Sequence, residues 1–275
     1  MQNMRNNQHQ QRVTVVSIGR SGTSLFARIL HEVLGVDFGL EADHIPRNHN
    51  NPDGYFENAE FLAFNDRILQ AANGWVLSPP PINYMTLLAP SVRDGLVDEA
   101  KYLLAKYAAD KPSFGWKDPR LSFTLPIWRE ACPAIVPIVA FRQPLSVLSS
   151  IAAQLERPID AILPLWFQYY QRVFAYTNGL PRCVVCFDHL LQNPLSVVMQ
   201  MARHLNVAVD ESAAAQKLSQ IVKPQQSRHT SVQNAVNGTS ILDVQTKALY
   251  TYLRETADTQ SQPDETVLQN LLDGN

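Results

Sequence analysis

The stretch "VVSIGRSGTSLFARIL", residues 15–30, changes character halfway. It begins inside an apolar run, Val13 to Ile18, patterned like a strand covered on both faces. It then turns through glycine and continues as a helix with apolar Leu25, Phe26, Ile29, Leu30, Val33 and Leu34, ended by Gly35. A strand, a tight Gly/Ser turn and a helix N-terminus together form a phosphate cradle, because backbone N–H groups there point outward. The nucleoside-triphosphate loop G-x-x-x-x-G-K-[ST] uses a lysine for the β- and γ-phosphates and a hydroxyl for magnesium. Aligned on Gly22, the first glycine position holds Ser17, the lysine position Thr23 and the hydroxyl position Ser24. No cation follows the glycine; Arg20 sits before it. Gly19, Arg20, Ser21, Gly22, Thr23 and Ser24 therefore suit a nucleotide with a single 5′ phosphate. Read alone, the same residues also make a turn that binds nothing.

Outward from this loop, β-rich runs alternate with helical patterns. "VDF" reads as a second strand, and "EADHIPRNHNNPDG" as a long loop of the kind that often carries function. "ENAEFLAFNDRILQAA" reads as a helix, and Ser91 as the cap of another. "FGWK", "IVAF" and "CVVCF" read as strands. Pro158 opens a helix that Pro164 should kink, and Asn193-Pro194 opens "LSVVMQMARHL". This alternation predicts an α/β fold: a P-loop-like, three-layer α/β/α domain with a central parallel sheet. Its ligands bind at the carboxyl ends of the strands. The expected organisation is a disordered lead over 1–11, a single domain over 12–256 and a polar tail over 257–275, where "VLQNLL" has the pattern of a short helix.

Composition narrows the function. The 275 residues carry a net charge of −2, so no general nucleic-acid or anionic-membrane surface is expected. No apolar run approaches a bilayer span, and the polar start lacks the apolar core of a secretory signal. The expected compartment is the cytoplasm. Three cysteines make no disulfide framework; Cys183 and Cys186 match C-x-x-C, but odd spacing on a strand sends them to opposite faces, as two buried thiols.

"GRSGTS" resembles the 5′-phosphosulfate loop of sulfotransferases, which use 3′-phosphoadenosine-5′-phosphosulfate (PAPS). Further stretches carry the same resemblance. Arg142 ends the strand "IVAF" and Ser150 follows eight residues later, the family's spacing for 3′-phosphate binding; a guanidinium and a hydroxyl both reach phosphate oxygens. "GWKDPR" places Lys117 at a strand end, where the family contacts the transferred sulfonate. "VVCFDHLLQNPLSVVMQMARHLNV" resembles the family's late structural segment. "SRH", with Arg228 and His229, resembles a bacterial segment that closes over the nucleotide, while the Arg-Lys-Gly signature of cytosolic members is absent. The resemblance spans residues 13–229.

It implies a single α/β domain and in-line transfer of a sulfonyl group from PAPS to a hydroxyl or amine, leaving PAP and requiring no metal. Arg20 would stabilise the leaving phosphate and Lys117 the sulfonyl oxygens. Cytosolic members place a catalytic histidine two residues after the lysine, where this chain has Pro119. Three bases remain: Glu41, 21 residues after Arg20 as in tyrosylprotein sulfotransferases; Glu57, in "NPDGYFEN"; and His44. Glu41 ranks first. Expected acceptors are a glycan, a lipid-linked sugar or a small metabolite; Trp75, Tyr84, Trp166, Tyr169 and Tyr170 are stacking candidates that more often serve as core. The rival readings are a P-loop nucleotide kinase with Asp188 on magnesium, and an inactive sulfotransferase-like domain that only binds a nucleotide or glycan.

Overall fold

The computed structural model describes residues 10–48, 51, 54–223 and 241–274. Its centre is a four-stranded, all-parallel sheet of β1 (Gln11–Val16), β2 (Ser113–Lys117), β3 (Ile135–Phe141) and β4 (Cys183–Cys186), in the order β2-β1-β3-β4. Val13 pairs with Gly115 on one side and Val136 on the other. The chain leaves β1 for one neighbour and β3 for the opposite edge. Their carboxyl ends therefore flank the crevice where such sheets bind ligands.

The helices among the described residues are α1 (Thr23–Glu32), α2 (Ala59–Ala71), α3 (Tyr84–Leu87), α4 (Pro90–Ala108), α5 (Leu121–Ala131), α6 (Pro144–Leu155), α7 (Leu165–Thr177), α8 (Phe187–Gln192), α9 (Pro194–His204), α10 (Glu211–Ile221), α11 (Val244–Asp258) and α12 (Glu265–Asp273). They form two cores, one on each sheet face. Val13, Val15, Cys183 and Val185 pack with Phe26, Leu30, Met201 and Leu218 from α1, α9 and α10. Val16, Trp116, Val184 and Cys186 pack with Phe61, Trp128, Tyr170 and Leu249 from α2, α5, α7 and α11. The two thiols of "CVVC" thus lie in different layers, as strand alternation requires. No described helix is long and apolar enough to cross a membrane.

Three local expectations are corrected. "VDF" forms a single bridge rather than a strand: Asp37 N donates to Ser113 O at 3.1 Å and Gly115 N to Asp37 O at 2.7 Å. Ser91 does not cap α4, because Pro90 already fills the first helical position. Pro164 does not kink a continuous helix. It separates a 3-10 turn, Ile159–Ile162, from α7, since its ring cannot accommodate the turn before it. Within the polar tail, "VLQNLL" is helical as its pattern predicts: it lies in α12, which is capped by Asp264 and buries Leu268 and Leu272, one helical turn apart.

Candidate active site

The loop after β1 takes the left-handed conformation twice, at Arg20 (φ 69°) and Gly22 (φ 80°). A Cβ on Gly22 would lie 2.0 Å from the Phe187 ring, so this position admits only glycine, for both conformation and space. Gly22 is also the N-cap of α1 and supplies no capping side chain. The N–H groups of Thr23 and Ser24 have no acceptor within the helix, which leaves them for an external anion. Gly22→Ala should destabilise the fold, read by urea denaturation, because Phe187 or the loop must move by more than an ångström. Unchanged stability would contradict the stated contact.

Arg142, at the end of β3, is buried, and its guanidinium lies 4.8 Å from the Phe187 ring centre. Its Nη1 donates to Arg20 O at 3.3 Å, and its buried Nε has no hydrogen-bond partner among the described residues. Burial pulls its pKa below the arginine value, against the nearby Asp188 carboxylate, without discharging it. Arg20 Nε donates to Ser150 Oγ at 2.9 Å, so the residues at the ends of β1 and β3 and on α6 converge.

Lys117, at the end of β2, is likewise buried. Its Nζ donates to Glu57 Oε1 at 2.5 Å and to Ser24 Oγ at 3.3 Å. Ser24 Oγ also accepts from Asn51 Nδ2 at 2.9 Å, tying α1 to the loop that carries Glu57. Burial pushes the Glu57 carboxyl above its usual pKa even with Lys117 opposing the shift. The "KDPR" turn is not solvated. Asp118 is buried and accepts from Asn65 Nδ2 at 2.9 Å and from Arg120 N and Nη1 at 3.0 Å each. Arg120 Nε also donates to Asp66 Oδ1 at 2.5 Å.

The β1 loop, Glu57, Lys117, Arg120 and Arg142 line one cavity of about 500 Å³, within the usual range for ligand pockets. Gly19, Arg20, Gly22, Thr23, Ser24, Glu57, Lys117, Arg142 and Ser150 all border it; Ser21 is buried within the loop. Glu41 does not border it: its side chain is 74% exposed and pairs with Arg47 at 2.6 Å. His44 also stands apart, with Nε2 2.8 Å from Phe38 O. Arg228 and His229 lie outside the described residues. Tyr84, Trp166 and Tyr170 are core; Trp75 and Tyr169 border the cavity. Sequence reasoning did not single out Asn51, Asn65 or Asp66. An asparagine in a polar loop and two polar residues mid-helix carry no local signal of a shared site.

A model of the sulfotransferase family matches residues 12–211. A search of curated proteins returns no match. Among solved structures, the sulfotransferase domain of the Synechococcus PCC 7002 olefin synthase is similar at 16% identity and a TM-score of 0.49, covering 100% of this chain and 98% of that one. The sulfotransferase STF9 of Mycobacterium avium is similar at 14% identity and 0.47, covering 77% and 68%. STF1 of Mycobacterium tuberculosis H37Rv gives 15% and 0.46, covering 76% and 71%.

Proposed function

Since the chain belongs to the sulfotransferase family, we propose that it moves the sulfonyl group of PAPS to an acceptor hydroxyl or amine, with Glu57 rather than Glu41 taking the acceptor proton. The observation that carries this reading is the meeting of Arg20, Lys117, Glu57, Arg142 and Ser150 around the uncapped start of α1, in one cavity. The residues present fit a nucleotide with two separate phosphates. The Thr23 and Ser24 N–H groups offer one anion site. Arg142, with its partnerless Nε, and Ser150 offer a second.

PAPS supplies an activated S–O bond whose cleavage releases PAP. Everything else falls to the chain. Arg20 belongs to the loop of the first anion site, has its guanidinium held by the Ser150 hydroxyl of the second, and would stabilise charge on the departing 5′ phosphate. Lys117 would neutralise sulfonyl oxygens. Sharing Lys117 with that new anion loosens its hold on Glu57. Burial already makes Glu57 a stronger base than an ordinary carboxylate, suited to accept the acceptor proton. Glu41, facing solvent and paired with Arg47, has no such access.

Thermal shift with PAP, AMP and ATP–magnesium tests the nucleotide half. PAP at a hundred times its dissociation constant should stabilise the fold by about 2.7 kcal/mol, well beyond AMP. Preference for ATP–magnesium would return the protein to the kinase reading. Transfer of label from PAPS to an acceptor separates an enzyme from a domain that only binds.

A further inference from the structure

The cavity has a second wall that contributes none of the residues assigned above to the donor. It is built from Trp75 and Leu77 on the loop after α2, Ile151 and Leu155 on α6, and Leu165 and Tyr169 on α7. Gln154 is the polar side chain added to it, and it carries no charge. Trp75 is 49% exposed and Leu155 38% exposed, so two large apolar groups stand at the rim rather than in the core.

The loop that presents Trp75 is rigidly held. Trp75 N donates to Ser78 O at 2.7 Å and Ser78 N to Trp75 O at 3.0 Å. Tyr169 Oη donates to Val76 O at 2.9 Å, and Arg172 Nη2 to Pro80 O at 2.7 Å. Gly74 packs so tightly that a Cβ there would meet Pro80 at 2.7 Å. The backbone that presents this half-exposed indole is thus held by four hydrogen bonds and a close-packed glycine, which pre-organises the loop for a partner.

Charge accounting narrows what that partner is. Five cations border the cavity: Arg20, Arg28, Lys117, Arg120 and Arg142. Arg28 pairs with Glu32, Lys117 with Glu57, and Arg120 with Asp66 and Asp118. Among the described residues, Arg20 and Arg142 hydrogen-bond to neutral oxygens, and the proposed reaction commits both to donor phosphates. Among the described residues that border the cavity, no cation is left over for an anionic acceptor.

We propose that the acceptor is an uncharged amphiphile, an alcohol or phenol whose apolar body lies along Trp75, Leu77 and Leu155 while its hydroxyl reaches Glu57. This rests on the sulfonyl-transfer reading above and excludes charged sugars.

The test uses the full chain with labelled PAPS and 1-butanol, 1-hexanol, 1-octanol, phenol, glucose and glucuronic acid as acceptors. For the aliphatic alcohols, kcat/KM should rise about fourfold per added methylene until the wall is covered. Trp75→Ala should cost the octanol reaction roughly tenfold or more. A flat dependence on chain length, or preference for glucuronic acid, overturns the proposal. A second arm needs no turnover. Trp116, Trp128 and Trp166 are buried, so a blue shift in tryptophan emission on adding 1-octanol, absent in Trp75→Phe, reports occupation of this wall. No shift also overturns the proposal. Failure of PAP to stabilise the protein, with the octanol shift intact, would instead fault the parent reading and leave the apolar site standing.

Discussion

Glu57→Gln is expected to lower kcat by about 10²- to 10⁴-fold, the usual worth of a positioned general base, while PAP still binds. Glutamine keeps an oxygen for Lys117 Nζ, so the link now 2.5 Å long survives as a neutral hydrogen bond and the donor side stays assembled. What disappears is the ability to accept a proton. The wild-type profile carries the same information. Burial raises the Glu57 pKa, and the base must be ionised to act. Activity should therefore fall, as pH drops, at a higher pH than an ordinary carboxylate would give. Glu57→Gln should lack that acid limb in its residual rate. Glu41→Gln, at a solvent-facing pair, should stay within about twofold of wild type, because such pairs contribute little. Rate profiles of the two variants from pH 4 to 8 decide the matter. A dead Glu41→Gln beside an active Glu57→Gln would give the base role back to the first glutamate.

The contrast between these two glutamates marks what one sequence discloses. The β1 loop and the start of α1 were legible because their evidence is local: an apolar run, two glycines and a helical stripe within twenty residues of one another. Arg142, Ser150 and Lys117 were legible for a related reason. Lys117 and Arg142 stand at strand ends, Ser150 lies in the helix that follows β3, and a parallel sheet gathers strand ends at one edge. Glu41 and Glu57 share a long loop with no such constraint. Its path depends on a 3-10 turn at Glu41–Asp43, on the Glu41–Arg47 pair and on Ile45 N donating to Glu57 O at 2.8 Å. These contacts turn Glu41 outward and pull Glu57 under the sheet edge. Spacing from Arg20 does not encode that path. The same limit explains "VDF": β-propensity was present, but only Asp37 lies close enough to pair at the edge of β2.

Lys117→Ala should damage both stability and turnover, and pH separates the two effects. Loss of the ammonium removes charge stabilisation at the sulfonyl oxygens, at a cost of about 10²- to 10³-fold in kcat by analogy with other preorganised donors. It also strands Glu57, whose side chain is 8% exposed. Removing one partner of a buried pair costs about 3–5 kcal/mol, mostly as the penalty of an uncompensated charge. That penalty follows protonation. With Lys117 gone, burial pushes the folded-state pKa of Glu57 up further, while the unfolded chain keeps the ordinary carboxylate value. Near pH 4 the carboxyl is protonated in both states, and little stability is lost. As pH rises through the folded-state pKa, the folded form must either ionise a buried carboxylate or hold a proton the unfolded form releases. Stability therefore declines with rising pH. The gap between wild type and Lys117→Ala in urea denaturation should widen from pH 5 to pH 8, and Lys117→Ala/Glu57→Gln, with no carboxyl left to ionise there, should not show that widening. A constant deficit in the single variant would mean that Lys117 stabilises the fold by packing rather than by holding the Glu57 charge. Activity then decides its role separately, since Glu57 is ionised at pH 8 only if the fold tolerates it there.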